Sequence, residues 1–219
     1  VGCGGGIYTE AWLNLGAAAV SGVDFSAQMV AAATQRLKHL PRASISQGDA
    51  YATGLPAGSV DIVFERALIH HLKDYRACFA EARRLLAPRG TFLIQDRTAA
   101  DVEAPASADH FRGYFFECFP RLSAVEKDRR PKAADIETAL KEAGFGQVAT
   151  RKVWETRKTY RSFDELAQDL AARTGRSILH ELNDDELQQL IAYIRTRLPA
   201  SELIVEKDRW TIWASSVAS

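Results

Sequence analysis

Residues 60–96 read VDIVFERALIHHLKDYRACFAEARRLLAPRGTFLIQD. The apolar run from Val60 to Glu65 suits a strand covered on both faces of a parallel sheet. Tyr75, Phe79, Ala82 and Leu86 then recur at helical spacing, and Pro88 and Gly90 predict a stop just after them. TFLIQD, residues 91–96, follows as a second strand. Strand, helix and strand in that order make a βαβ unit, whose parallel strands need a right-handed crossover.

The same rhythm extends toward the N-terminus. Residues 21–41, SGVDFSAQMVAAATQRLKHLP, read as a short strand, an acidic turn and a helix with Ser26 as its cap and Met29, Ala33, Leu37 and Leu40 on one side. ASISQGD, residues 43–49, is another short strand. Toward the C-terminus, AADVEAPASAD (99–109) is small and polar and predicts a mobile loop or lid. AADIETALKEAGFGQV (133–148) resumes the pattern as a helix ended by Gly144, with a strand around Val148 to Trp154. Two helices then break the alternation. They are announced by Ser162 with Glu165 and by Asn183 with Glu186, and carry the stripes Phe163, Leu166, Leu170 and Leu187, Leu190, Ile191, Ile194, Leu198. RWTIWAS (209–215) reads as a last strand.

The fold class expected is α/β, a doubly wound Rossmann-like sheet, in one domain over residues 1–219. Within it, residues 1–97 form the cofactor-binding half, 98–160 a lid loop, helix and strand, 161–200 a helical cap insertion, and 201–219 the last strand. Ligands of such sheets sit at the carboxyl ends of the strands. Attention therefore falls on Gly2 to Gly6, Asp24, Asp49, Glu65 to His71 and Asp96 to Thr98.

Bulk composition narrows the partners. The 219 residues are 47% hydrophobic and 26% charged, enough for one substantial core. With 28 basic and 28 acidic residues, no net field recruits nucleic acid or an anionic membrane. No run reaches the roughly 18 apolar residues of a spanning helix. Cys3, Cys78 and Cys118 are odd in number and lack paired zinc spacing, which predicts no metal and a reducing, cytoplasmic setting. Oligomeric state is not encoded in any pattern here.

VGCGGGIYT, residues 1–9, selects the ligand. A P-loop needs Gly-Lys-Ser/Thr close behind its first glycine, and residues 1–37 contain no lysine. A dinucleotide turn wants G-x-G-x-x-G, but Ile7 occupies the place of the third glycine. The spacing present, Gly2, Gly4 and Gly6, brings backbone amides at a helix N-terminus close to a ligand without a pyrophosphate, such as an amino-acid carboxylate. Asp24 ends the next strand, where a carboxylate can accept from both hydroxyls of a ribose or serve only as a turn residue. Asp49, in QGDA, can accept from an adenine amino group, and Met29 either packs on the ring or fills the core.

Together, VGCGGG, Asp24, QGDA and residues 60–96 resemble the class I S-adenosylmethionine-dependent methyltransferases, in particular the bacterial small-molecule group with an HH element after the fourth strand. The resemblance covers roughly residues 1–97. It implies a seven-stranded sheet with a reversed last strand and S-adenosyl-L-methionine as cofactor. It places the glycine turn, with Gly2, Cys3, Gly4 and Gly6, on the methionine part, Asp24 at the ribose, Asp49 with Ala50 at the adenine, and Arg66 and Ala67 beside the cofactor; Phe25 and Met29 complete the candidate cofactor-binding residues. It also implies a first strand and a helix ahead of Val1, so the sequence is expected to lack its beginning. Pro88-Arg89-Gly90 departs from the family's usual Pro-Gly-Gly. FERA replaces the Asn/Asp-Pro-Pro-aromatic signature of enzymes acting on amide or adenine nitrogens, which argues against those substrates.

The acceptor expected is therefore a small molecule. His70 and His71 are candidate bases, since imidazole titrates near neutrality; the alternative is that one packs on the cofactor or caps the next helix while the other faces the substrate passively. Tyr114 and Phe115, in YFFECF, line either an apolar pocket or a core. Arg173 and Arg176 either meet an anionic substrate or are simply solvated. Two other functions fit the same residues: a nicotinamide-dependent oxidoreductase, which Ile7 and Asp49 argue against, and a non-catalytic protein that binds the cofactor.

Overall fold

The computed structural model describes residues 1–198 and 203–217. Residues 199–202, where the expected cap gives way to the last strand, and 218–219 lie outside the described residues. In chain order the first elements are α1 (Ile7–Asn14), β1 (Val20–Asp24), α2 (Ala27–Leu37), β2 (Ala43–Gln47), β3 (Val60–Arg66), α3 (Tyr75–Leu85) and β4 (Leu86–Asp96). They are followed by α4 (Ala99–Val102), α5 (Arg112–Cys118), α6 (Arg121–Asp128), α7 (Ala133–Glu142), β5 (Phe145–Tyr160), α8 (Phe163–Ala171), α9 (Asp184–Arg197) and β6 (Ile204–Val217). The chain divides into two compact units. One holds Val1–Asp96, Ala133–Arg151 and the stretch from Ile212; the other holds Arg97–Lys132 and Lys152–Thr211.

In the first unit β1 pairs in parallel with β2, from Val20 opposite Ala43 to Asp24 opposite Gln47. A separate sheet has the order β3-β4-β6-β5, with β3 and β4 parallel and the last strand inserted between β4 and β5. Among the described residues there are six strands in two sheets, where a single seven-stranded sheet is expected. The reason is local: Val20–Gly22 of β1 and Val60–Phe64 of β3, with Ser59 before it, line a cleft of about 630 Å³, and among the described residues no strand lies in it to carry the ladder across. The chain's first residues bridge it. The Val1 amino group donates to the Phe64 carbonyl at 2.9 Å, and the Cys3 amide to the Val23 carbonyl at 3.0 Å.

Helix α3 is capped by Asp74, whose carboxylate accepts from the amides of Arg76 and Ala77. It ends at Leu85, one residue short of the expected Leu86, because Pro88 has no amide to donate and disfavours helical geometry in Ala87 before it. Leu86 instead starts β4 opposite Val60, and the register shifts before Ile62 meets Thr91. Such an irregularity absorbs a proline and the left-handed Arg89 (φ 65°) inside a strand. Phe79, Ala82 and Leu85 of α3 pack with Phe92 and Ile94 of β4, Ile136 and Leu140 of α7, and Phe145 and Trp213 into one core.

The second unit has its own core of Phe111, Phe115, Leu122, Tyr160, Leu166, Leu170, Leu190 and Ile194. The sequence predicts a mobile loop over residues 99–109, and the structure corrects this over its first part. Thr98 caps α4 in a reciprocal capping box, and the buried Asp101 carboxylate accepts from the Thr98 amide and hydroxyl and from the Thr211 hydroxyl at 2.5 Å. A buried carboxylate is tolerated only when so satisfied, and that fixes the segment. The caps expected for the late helices form: Ser162 accepts from the Glu165 amide, and Asn183 and Glu186 cap reciprocally.

Candidate active site

Every residue at the centre of this site belongs to the first unit, with Asp24 and Arg66 ending β1 and β3 and Asp49 just past β2. Gly6 ends the glycine turn as the cap of α1 with φ 83°, a left-handed conformation that favours glycine. A Cβ there would lie 2.9 Å from Leu37 Cδ1 and 3.2 Å from Ala33 Cβ, so α2 packs directly on the turn. Gly2 and Gly4 are also left-handed, at 66° and 51°. The turn is held by three bonds: the Gly6 amide donates to the Cys3 carbonyl, the Arg36 guanidinium donates to the Gly5 carbonyl, and the Gly4 amide donates to Asp24 Oδ2 at 2.8 Å.

Asp24 closes β1. Its other oxygen, Oδ1, accepts from the Ser26 amide at 2.9 Å, and its own carbonyl accepts from the Gly48 amide. That last bond sets Asp49 beside Asp24. Asp49 Oδ1 accepts from the Tyr51 amide, and the Tyr51 hydroxyl in turn accepts from the amides of Lys73 and Asp74. Phe25 is 75% exposed and Met29 44%, so Met29 does not fill the core as one sequence alternative had it. Ala50 packs against the core of this unit.

Arg66 ends β3 with its guanidinium 4.5 Å from the Tyr8 ring centroid. Ala67 after it has φ 52° and donates its amide to the Gln95 carbonyl. A left-handed alanine costs roughly 1–2 kcal/mol and persists where surroundings over-determine it. The turn Ile69–His71 follows. Leu68 at its start packs on Gly2, since a Cβ on that glycine would lie 3.0 Å from Leu68 Cδ1. His70 turns inward: its Nδ1 lies 2.9 and 3.0 Å from the two oxygens of Asp96, the buried last residue of β4. His71 is exposed, its ring 4.0 Å from that of His70.

Two further groups carry perturbed acidities. Burial pushes the Glu65 carboxyl up to about 7, and its Oε1 accepts from the Cys78 thiol while Oε2 has no hydrogen-bond partner. Burial, then the charge of Asp24, raises the Cys3 thiol, which stays protonated in the turn.

The second unit holds the other sequence candidates. Tyr114 and Phe115 lie on α5, buried in its core. The Arg176 side chain is 1% exposed, its guanidinium bonded to Asp169, Glu206 and the Tyr160 hydroxyl. Arg173 donates to the carbonyls of Leu179 and Leu182 and pairs with Asp184. Both guanidinium groups are engaged within the protein, and neither is the solvated arginine of an open link. Sequence reasoning missed Arg36, the tie from Tyr51 and the strain at Ala67. None has a local signature, since each depends on contacts made only after folding.

These residues fit an adenosyl amino acid. The glycine turn gives close backbone approach without a pyrophosphate cradle, and Asp24 keeps lone pairs on both oxygens after its two amide bonds. Exposed apolar surface at Phe25 and Met29 accompanies Asp24 and Asp49.

Comparison with known proteins agrees. Residues 1–94 match a family model described as a methyltransferase domain. The ubiquinone/menaquinone biosynthesis C-methyltransferase of Caulobacter vibrioides is 32% identical over 113 residues, 51% of this chain and 44% of that protein. The trans-aconitate 2-methyltransferase of an Azoarcus species is 36% identical over 99 residues, 43% of this chain and 36% of that one. The chain thus spans less than half the length of these curated relatives. Among solved structures, a Haemonchus contortus phosphoethanolamine N-methyltransferase in complex with phosphomonomethylethanolamine and S-adenosylhomocysteine superposes with a TM-score of 0.61. It is 20% identical, covering 100% of this chain and 48% of that one, a likeness of fold alone. Residues 1–94, less than half of the chain, thus match the methyltransferase-domain family, and the fold is similar to that of a solved methyltransferase.

Proposed function

We propose that this chain is an enzyme that transfers a methyl group from S-adenosyl-L-methionine to a small-molecule acceptor by in-line displacement. The observation that carries this is Asp24, whose two oxygens hold the Gly4 amide on one side and the Ser26 amide on the other while lone pairs remain for a ribose. The bound cofactor supplies a methyl group already activated by the sulfonium charge. The chain's own residues then mainly bind and align, a contribution of roughly 7–11 kcal/mol where geometry is good.

Gly2, Cys3, Gly4 and Gly6 take the methionine part, Asp24 and Phe25 the ribose, Met29, Asp49 and Ala50 the adenine, and Arg66 and Ala67 stand beside the cofactor. The open edges of β1 and β3 along the cleft support a seventh strand there, and the place of β6 between β4 and β5 supports a reversed last strand. Two small-molecule methyltransferases among the relatives support an acceptor of that size.

Titration calorimetry tests the cofactor. Binding of S-adenosylmethionine is expected, and binding of NAD(H) without it overturns the proposal. Transfer of labelled methyl across a metabolite panel tests the enzyme. Cofactor binding with no transfer to any member favours a non-catalytic binder.

A further inference from the structure

The second unit buries three guanidinium groups around two carboxylates. Arg97 is the first residue after β4, Arg112 lies on α5 and Arg130 just past α6, and they gather about Glu126 of α6 and Asp208 of β6. Their side chains are 11%, 6% and 4% exposed. Arg97 Nη1 lies 3.3 Å from Asp208, and the same guanidinium stacks over the Trp210 ring at 4.7 Å. Glu126 Oε1 accepts from Arg112 Nη1 at 3.3 Å and from Nε and Nη2 of Arg130 at 3.1 and 2.5 Å.

This arrangement leaves the cations under-compensated. Arg112 Nε is buried with no hydrogen-bond partner, because Asp208 Oδ1, its nearest anion, stands 3.5 Å away. A guanidinium is always charged and can only donate, so a buried N–H without an acceptor is costly. Burial, and then repulsion from Arg112, holds the Arg97 side chain down to about 9 against the attraction of Asp208. The next carboxylates along, Asp169 and Glu206, are engaged by Arg157, Arg176 and Lys158. An anion accepting from Arg97 and Arg112 would relieve both the orphaned N–H and the repulsion.

We propose that Arg97 and Arg112, backed by Arg130, bind a carboxylate of the methyl acceptor, which is therefore a small carboxylic acid. This rests on the methyltransferase function proposed above. Arg97 is joined by one peptide bond to Asp96, the last residue of β4, and ligands of such sheets sit past the carboxyl ends of the strands. Guanidinium forks match a carboxylate in geometry. Charge selects it over phosphate: within this unit three guanidinium groups meet two carboxylates, so one further negative charge balances them and a dianion overshoots. The carboxylate is an anchor, held alike before and during transfer, and so it acts on KM rather than on kcat.

Two measurements decide it. Arginine Nε–H spectra, with Arg97 and Arg112 assigned through Arg97→Lys and Arg112→Lys, are recorded as acetate, acetamide or inorganic phosphate is added at constant ionic strength. Acetate is expected to shift both signals, with acetamide and phosphate at least about tenfold weaker. Signals unmoved by acetate, or moved equally by acetamide, overturn the site, and tighter binding of phosphate overturns the carboxylate as its occupant. The comparison of acetate with acetamide holds in the parent protein whether or not a variant folds.

Methyl transfer from labelled cofactor is then measured with small carboxylic acids and their primary amides. Acids are expected to be methylated, with KM for the matching amide roughly 10–10²-fold higher. Arg97→Lys should raise KM for an accepted acid by a similar factor, with kcat and S-adenosylhomocysteine affinity within about threefold of the parent. An unchanged KM in Arg97→Lys overturns the anchor. A parent that binds S-adenosylhomocysteine but methylates no acid, or amides equally well, overturns the acceptor class. A parent that fails to bind S-adenosylhomocysteine fails the function proposed above instead, while the arginine signals still report on the site.

Discussion

Replacing Asp24 by alanine is the most informative perturbation of the cradle, because one carboxylate serves both fold and ligand. In the protein it accepts two amide hydrogens, from Gly4 at 2.8 Å and Ser26 at 2.9 Å. Hydrogen bonds to a charged group contribute about 1.5–3 kcal/mol each. Partial exposure of Asp24 reduces this, and a loss of about 2–4 kcal/mol is expected. For a chain of this size that corresponds to a melting temperature lower by roughly 5–15 °C. The ligand term is separate. Two ribose hydroxyls donating to the same carboxylate contribute about 3–6 kcal/mol, so S-adenosylhomocysteine should bind roughly 10²–10⁴-fold more weakly. Calorimetric titration at a temperature where the variant remains folded reads the second term, and thermal denaturation reads the first. Asp24→Asn serves as control, since it keeps one carbonyl acceptor but loses the charge, and should fall between parent and alanine in both. A melting temperature that drops while affinity stays within about threefold of the parent refutes the ribose role and leaves Asp24 as a clasp for the turn.

Three other substitutions bear on the same unit. Gly6→Ala puts a Cβ at φ 83° and 2.9 Å from Leu37 Cδ1, and should cost about 1–3 kcal/mol in denaturant unfolding; adding Leu37→Ala should not restore the parent, because the backbone conformation stays strained, and full recovery would contradict this. Glu81 is held near pKa 2 by its hydrogen bonds to Arg84 and, against the cost of burial, by those from the Thr53 hydroxyl and amide. Its folded value lies below the ordinary 4.5, so its stabilisation is complete above that pH and is lost as pH falls toward 2; Glu81→Gln should flatten this part of the acid unfolding curve, and an unchanged curve counts against it. Glu65 is shifted the other way, from 4.5 to about 7 by burial, so the folded protein keeps a proton that the unfolded chain releases and stability falls as pH rises across that window. Glu65→Gln should therefore gain more in melting temperature over the parent at pH 8 than at pH 5, and an equal gain at both would show that Glu65 does not titrate there.

Much of the cradle was legible before folding. The glycine spacing, Asp24 after one strand and Asp49 after the next follow from strand-then-helix periodicity, which places every strand end at one edge of the sheet. The structure puts Asp24 at the end of β1 and Asp49 just past β2, with Ser26 as the expected cap of α2. The boundaries that slipped did so where local and long-range preferences compete. Leu86 continues the helical stripe of α3, but pairing with Val60 and the proline after it draw it into β4. Residues 99–109 look like a loop by composition, yet Thr211, more than a hundred residues away, holds Asp101 in place.

Periodicity and spacing thus determined the class of fold and the chemical kind of ligand, because each is written in residues close together in the chain. Partnership across the chain was decided only by the tertiary structure. Nothing in the sequence pairs His70 with Asp96 until β4 brings that carboxylate within 2.9 Å of its Nδ1. Arg176 looks like a solvated link residue until Asp169 and Glu206 close around it. Whether six strands make one sheet or two depends on what fills the space between Val20–Gly22 and Ser59–Phe64. Backbone ladders and buried charges are satisfied by groups distant in sequence, and no local pattern specifies which groups those are.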